Sequence, residues 1–216
     1  MYIRRRKRLK EAVSVISGED GPTSIFIAGH RKKPGFVNHI RNLKYKRKRE
    51  KIEKGIREGS HSLEEVVLYI QNTYGAREKP QDSHSYMEEK KCLKESLILK
   101  HKPELLGDKA DVKSPDSYDE ESMKEFWKQI KERSKMAENI ADEMMPMDLH
   151  LYYIKIPDTG ELVITIDTVW AIFACSYSGK SMKQIAKDIY MYYGVTKEDI
   201  INRSERYLAL VTVLAE

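Results

Sequence analysis

The longest run free of Asp, Glu, Lys and Arg is Thr168–Gly179, only 12 residues. A helix that crosses a bilayer needs roughly 20 predominantly apolar residues, so no segment reads as a membrane span. Charge recurs so often that cores have to be assembled from the apolar faces of short segments. Charged residues make up 34% of the 216 and hydrophobic residues 40%. That balance suits a soluble, helix-rich protein with modest cores, in one large domain or two small ones. The N-terminus is basic (Arg4, Arg5, Arg6, Lys7, Arg8), as a signal peptide is. No apolar segment follows it, because Val13-Ser14-Val15-Ile16 is cut short by Gly18-Glu19-Asp20, and a bacterial cytoplasmic location is expected. Cys92 and Cys175 form no CxxC pair and are expected to be free, buried thiols.

Charge is unevenly placed. Residues 1–58 carry 18 Lys and Arg against 6 Asp and Glu, whereas the remainder carries 21 against 28. A basic arm on an acidic body can bind nucleic acid or anionic lipid, or dock on its own body. Its candidate nucleic-acid contacts are Arg4, Arg5, Arg6, Lys46, Arg47, Lys48 and Arg49.

Punctuation divides the chain into three regions. Residues 1–35 read as an irregular arm, interrupted by Gly18, Gly21, Pro22, Gly29, Pro34 and Gly35. Residues 36–147 read as helical, with a charged loop near 101–117. Val37, Ile40, Leu43, Ile52 and Ile56 recur at helical spacing over Phe36 to Arg57. Three capping boxes are expected, at Ser62–Glu65, Ser85–Glu88 and Ser117–Glu120, with Gly75 stopping the first helix. Residues 148–216 read as a β-hairpin, Leu149–Ile156 and Glu161–Ile166 around Pro157-Asp158-Thr159-Gly160. Three helices are expected after it: Thr168 to about Cys175, one capped by Ser181 over 182–193, and one from Thr196. The fold class is therefore α+β, mostly helical.

The hairpin, the aromatic-rich segment after it, Ser181 with Gln184-Ile185-Ala186, and Tyr193-Gly194-Val195 before Glu198-Asp199 resemble a PqqD-like winged helix-turn-helix over about 149–214. Such modules recognise leader peptides, and the resemblance implies strand addition, in which a partner peptide pairs with an exposed strand edge. The contacts it implies are Tyr152, Tyr153 and Ile154 on the first strand and Trp170 on the first helix. Used instead as a DNA reader, the helix at 182–193 would offer Lys183, Gln184 and Lys187, opposed by Asp188.

A second resemblance is confined to Val13–Gly29. Asp20-Gly21-Pro22-Thr23-Ser24-Ile25-Phe26 closely resembles a motif of the membrane-embedded beta subunit of sodium-translocating decarboxylases. In that family an acid and unwound backbone are implied to serve the sodium pathway, and the acid corresponds to Asp20, the one metal-ligating residue the likeness implies. Here Ser17 replaces a glycine and Glu19 a small residue, and Arg31-Lys32-Lys33 follows. In a chain without membrane spans, Asp20, Gly21, Pro22, Thr23, Ser24 and Phe26 read better as a docking motif on the arm.

Other motifs fall short of chemistry. Ser178-Gly179-Lys180-Ser181 lacks the glycine that a phosphate loop requires at Ala174. The six His residues are scattered with no zinc spacing, and no nucleophile setting is evident. The expected function is a binding or adaptor protein without a cofactor, engaging a peptide or protein partner through the C-terminal unit and the arm. The alternatives are a nucleic-acid-associated protein and a relative of the decarboxylase subunit.

Overall fold

The computed structural model describes residues 12–18, 21–28, 36–115, 117, 119–157 and 160–215. The architecture is α+β. Strands β1 (Ala12–Gly18) and β2 (Gly21–Ala28) form an antiparallel hairpin where an irregular arm was expected. Pro22 has no backbone N–H to give a ladder, and it falls at the register irregularity beyond Ile16, opposite Ser17. Helix α1 follows (Phe36–Gly55).

Helix α2 (Leu63–Tyr74) shows the expected capping box. Ser62 Oγ accepts from Glu65 N at 3.2 Å, and Glu65 Oε2 accepts from Ser62 N at 2.7 Å. Gly75 ends the helix in the left-handed region at φ 65°. Two other caps lie elsewhere than the spacing suggested. Ser83, not Ser85, caps α3 (His84–His101), and Asp119, not Ser117, caps α4 (Glu120–Glu138). Ser117 Oγ instead donates to the Asp119 carboxylate. In each case the residue two positions away also has a competent side chain, so the box pattern alone does not discriminate. A 3-10 stretch, Pro103–Ala110, connects α3 and α4 and buries Leu106.

The centre of the molecule is a four-stranded antiparallel sheet in the order β4 (Arg77–Glu78), β5 (Leu149–Ile156), β6 (Gly160–Asp167), β7 (Ile172–Tyr177). The β5–β6 hairpin is as expected, with Leu149 opposite Asp167 and Ile156 opposite Gly160. The segment expected to be a helix at 168–175 is instead a turn leading into β7, whose register runs from Asp167–Ile172 to Leu162–Tyr177. Helix α5 (Lys180–Tyr193) is preceded by Gly179 at its N-cap, and Ser181 makes no cap. The last expected helix is two, α6 (Lys197–Asn202) and α7 (Glu205–Ala215), broken at Arg203 with φ 50°. Ser204 relays across the break: its N–H bonds Asp199 O, and its Oγ donates to Asp199 Oδ1 at 2.6 Å.

The sheet is covered on both faces. On one, Tyr152, Ile154, Leu162, Ile164 and Ile166 pack with Val66 and Ile70 of α2 and Met182, Ala186 and Ile189 of α5. Tyr69 and Tyr74 of α2 both donate to Asp188 Oδ2 of α5, at 2.5 and 2.7 Å. The Asp188 bond above all pushes the Tyr69 phenol up; for Tyr74 burial is the larger cause. On the opposite face Tyr86 of α3 packs on Leu149 and Leu151, and its hydroxyl donates to Leu149 O at 2.9 Å. Residues 36–147 and 148–216 therefore share one sheet and its cores. A further short ladder joins them, β3 (Gly59–Ser60) with β8 (Gly194–Val195). A Cβ at Gly194, where φ is 60°, would lie 1.9 Å from Gly59 O, so only glycine permits that contact.

Asp167 closes the β6–β7 turn. Fully buried, it accepts from Asp148 N at 3.0 Å through one oxygen and from Trp170 N at 2.9 Å through the other. Asp167→Ala removes the acceptor of two part-buried backbone donors and is expected to destabilise the fold by about 1–3 kcal/mol in urea titrations. Asp167→Asn keeps one acceptor and should lose less.

Candidate functional site

A sheet offers its edges to partners, and the two edges here differ sharply. The β4 edge is two residues long, and both are charged and exposed, Arg77 and Glu78. Beside it Lys79 N donates to Leu151 O at 2.8 Å. Together these cover the outer side of β5 from Leu151 to Tyr153, the strand expected to receive a partner. The expected contacts are consequently placed otherwise. Tyr152 and Ile154 are core residues, 5% and 3% exposed, and Tyr153 is half-buried and opposite Arg77. Trp170 sits in the β6–β7 turn, not on a helix. Its indole N–H donates to Pro146 O at 2.7 Å, and its ring lies 4.7 Å from that of His101. It is a wedge between the turn and α3.

The β7 edge carries none of this protection. Ile172–Tyr177 has six residues and contains neither a charge nor a proline. Charges, prolines, bulges and short length are the usual means of blunting an edge. Ser178 N donates to Glu161 O at 2.9 Å, which fixes the phase of the ladder. Hydrogen-bonded pairs in an antiparallel ladder alternate, so Ser176, Ala174 and Ile172 direct their backbone groups to β6. Those of Phe173, Cys175 and Tyr177 then point outward. Among the described residues, no backbone bond from another element reaches the outer side of Phe173 or Cys175. Ala174 and Ser176 are exposed on one face, while the Phe173, Cys175 and Tyr177 side chains pack inward on the other. Burial pushes the Cys175 thiol up to about 12, which keeps it protonated. Cys92, expected to be buried, is exposed on α3. Burial of its sulfur, then Glu89, Glu88 and Glu95, raises its thiol as well.

A cleft of 340 Å³ opens between α2 and the start of β5, lined by Leu63, Val67, Leu68, Tyr152 and Ile166, with Glu64, His150 and Thr168 at its polar side. His150 is gripped from two directions: Nδ1 meets Glu78 Oε1 at 2.6 Å and Nε2 meets Asp148 Oδ1 at 3.3 Å. Thr168 Oγ1 donates to the other Asp148 oxygen. The Glu78 bond is the chief cause that raises the His150 pKa, and the Thr168 bond the chief cause that lowers that of Asp148. With both ring nitrogens facing carboxylates, the imidazolium offers no lone pair. Among the described residues, no group of three or more His, Cys, Asp and Glu is arranged to hold a metal ion. His150 therefore acts as a clasp that holds charged β4 against β5.

The arm divides differently. Arg4, Arg5, Arg6 and Asp20 lie outside the described residues, so the sodium reading of Asp20 has no geometry to stand on. Gly21, Pro22, Thr23, Ser24 and Phe26 lie in β2. On α1, Lys46, Arg47 and Lys48 are exposed, while half-buried Arg49 bonds Glu53 at 3.0 Å. Among the described residues, no helix is long and apolar enough to cross a membrane. No protein family, curated protein or solved structure matches this chain.

The His150 clasp has a defined pH dependence. Its pKa is raised in the folded state, so its contribution is complete below the unfolded value of about 6.5 and is lost as pH rises through the folded value. The difference in melting temperature between the wild type and His150→Gln should be largest near about pH 6 and shrink towards about pH 9. A constant difference across that range would show that the clasp is not ionic.

Proposed function

We propose that the protein is a binding adaptor that receives an extended segment of a partner polypeptide on the outer edge of β7. The observation that carries this reading is the unprotected edge itself: six uncharged, proline-free residues presenting outward backbone groups at Phe173 and Cys175. The opposite edge of the same sheet is short, charged and clasped. Strand addition is the mode that the PqqD-like resemblance of 149–214 implies, and β7 is where this sheet offers it. In a winged-helix reading the same β5–β6–β7 meander would serve as the wing. The helix at 182–193 suits DNA reading less well. Met182, Ala186, Ile189, Tyr190 and Tyr193 are buried, Asp188 is engaged by two tyrosines, and Lys187 reaches Leu214 O.

An added strand would place alternate side chains over Phe173, Cys175 and Tyr177 and the others beside Ala174 and Ser176. The partner segment should therefore be extended, low in charge and apolar at every second position. Main-chain bonds would supply affinity with little dependence on salt.

Short peptides selected from a displayed library on the full-length chain test this. Their binding should protect the Phe173 and Cys175 amides from hydrogen exchange. Binding should fall at least about tenfold in Cys175→Pro, which removes an outward donor, and persist in Cys175→Val. The double variant Ala174→Lys/Ser176→Lys keeps the strand and adds the missing charges, and it should also lose binding. Protection confined to another surface, or binding that survives both Cys175→Pro and the double variant, would overturn the reading.

A further inference from the structure

We infer that the solvent face of α1 is a contact surface for the backbone of double-stranded DNA, independent of the β7 edge. The helix sorts its cations by direction. Ile52 and Ile56 are half-buried, and Ile56 packs into the cluster built around Tyr207, Leu210 and Val211 of α7. Glu53, on the same side, binds Arg49 at 3.0 Å and Arg203, at the α6–α7 break, at 2.9 Å. One face of α1 is thereby fixed to the body. Lys46 is partly neutralised by Glu50 at 4.0 Å. That leaves Lys44, Arg47, Lys48, Lys51 and Lys54, all exposed, and among the described residues none of them pairs with a carboxylate.

Lys44 and Lys48 are four residues apart, and Arg47, Lys51 and Lys54 follow at steps of four and three. At about 100° per residue they fall within an arc of roughly 120°, on the side turned from Ile52 and Ile56, and they span about 15 Å of helix. The expected set Lys46–Arg49 is thus redrawn: Arg47 and Lys48 stay, Lys46 and Arg49 are engaged elsewhere, and Lys44, Lys51 and Lys54 join. An unneutralised row of cations on a fixed rod matches a regular row of phosphates. A helix about 10–12 Å across fits the B-form major groove of about 12 Å, where cations on both flanks of the arc reach phosphates on both walls. The deep, narrow major groove of an RNA duplex does not admit a helix. Unpaired strands are bound on aromatic platforms, and the five-cation arc contains no aromatic residue. Lipid surfaces are bound by helices that insert an apolar face, and here Ile56, next to the end of α1, is packed against α7.

Fluorescence anisotropy of the full-length chain with a labelled mixed-sequence DNA duplex of about 20 base pairs is the test. Five phosphate contacts give a slope of log K against log salt of about −4.5, and a scrambled duplex should bind equally. The exposed triple variant Arg47→Gln/Lys48→Gln/Lys51→Gln should keep its circular dichroism and reduce the slope by about 2.7. Ala174→Lys/Ser176→Lys should bind DNA no more weakly than the wild type, so failure here and failure of the β7 reading can be told apart. Four results would overturn the inference: no duplex binding at low salt, an unchanged slope in the triple variant, tighter binding to single strands or duplex RNA, or preference for phosphatidylserine vesicles.

Discussion

The burial of β6 on both faces is the constraint on which the remaining structure depends. Leu162, Ile164 and Ile166 are fully buried on one face, and each contributes roughly 1.5–3 kcal/mol by leaving water. On the other face Thr165 and Asp167 are buried polar groups that need partners. Thr165 approaches Glu89 of α3 at 3.4 Å, and Asp167 binds the two ends of its own turn. A strand with both faces covered needs helices on two sides. Only α2 and α5 together supply the first cover and α3 the second. This is why segments far apart in sequence close on one sheet.

The features legible in the sequence were those fixed by neighbours in the chain. The β5–β6 hairpin, the Ser62 capping box, the Gly75 stop and helix α1 all rest on local patterns, and all are present. What failed were local patterns with two solutions. Thr168–Cys175, with Val169, Trp170, Ile172 and Phe173, satisfies helical spacing as well as a strand. The choice was made by Asp167, whose carboxylate takes the Trp170 N–H and turns the chain back along β6. The same holds for the last helix, where the Asp199–Ser204 pair stabilises a break that apolar periodicity does not record.

The candidate site was less legible, because it is defined by what is missing from an edge. Tyr152 and Ile154 have the composition of a receptive strand, yet a two-residue segment from 77–78 covers that strand, joined through His150 and Glu78, 72 positions apart. No short-range pattern announces such a pairing. One sign was available: Thr168–Gly179 is the longest charge-free run in the chain. Read as a limit on membrane spans it said little about function, whereas read as a strand it marks the edge of the four-stranded sheet where charge and proline are absent.

Two surfaces of opposite physical character follow from the same fold. On the proposed readings, the β7 edge would bind through backbone groups with little dependence on salt, while α1 would attract through unpaired charge and weaken steeply as salt rises. Helix α7 stands behind both. It seats Ile56, the residue after α1, and its cluster also takes in Phe173 and Cys175 of β7. Opposed charges would be wasted if α1 and the body neutralised each other, and the helix avoids this by turning Arg49 inward to Glu53 and leaving the other arc free. An edge without charges and a helix face without counter-charges are each unfavourable to leave uncovered in a crowded solution, the first by inviting aggregation and the second by inviting indiscriminate polyanions. Their presence on one small body is most simply explained if each has a partner that covers it.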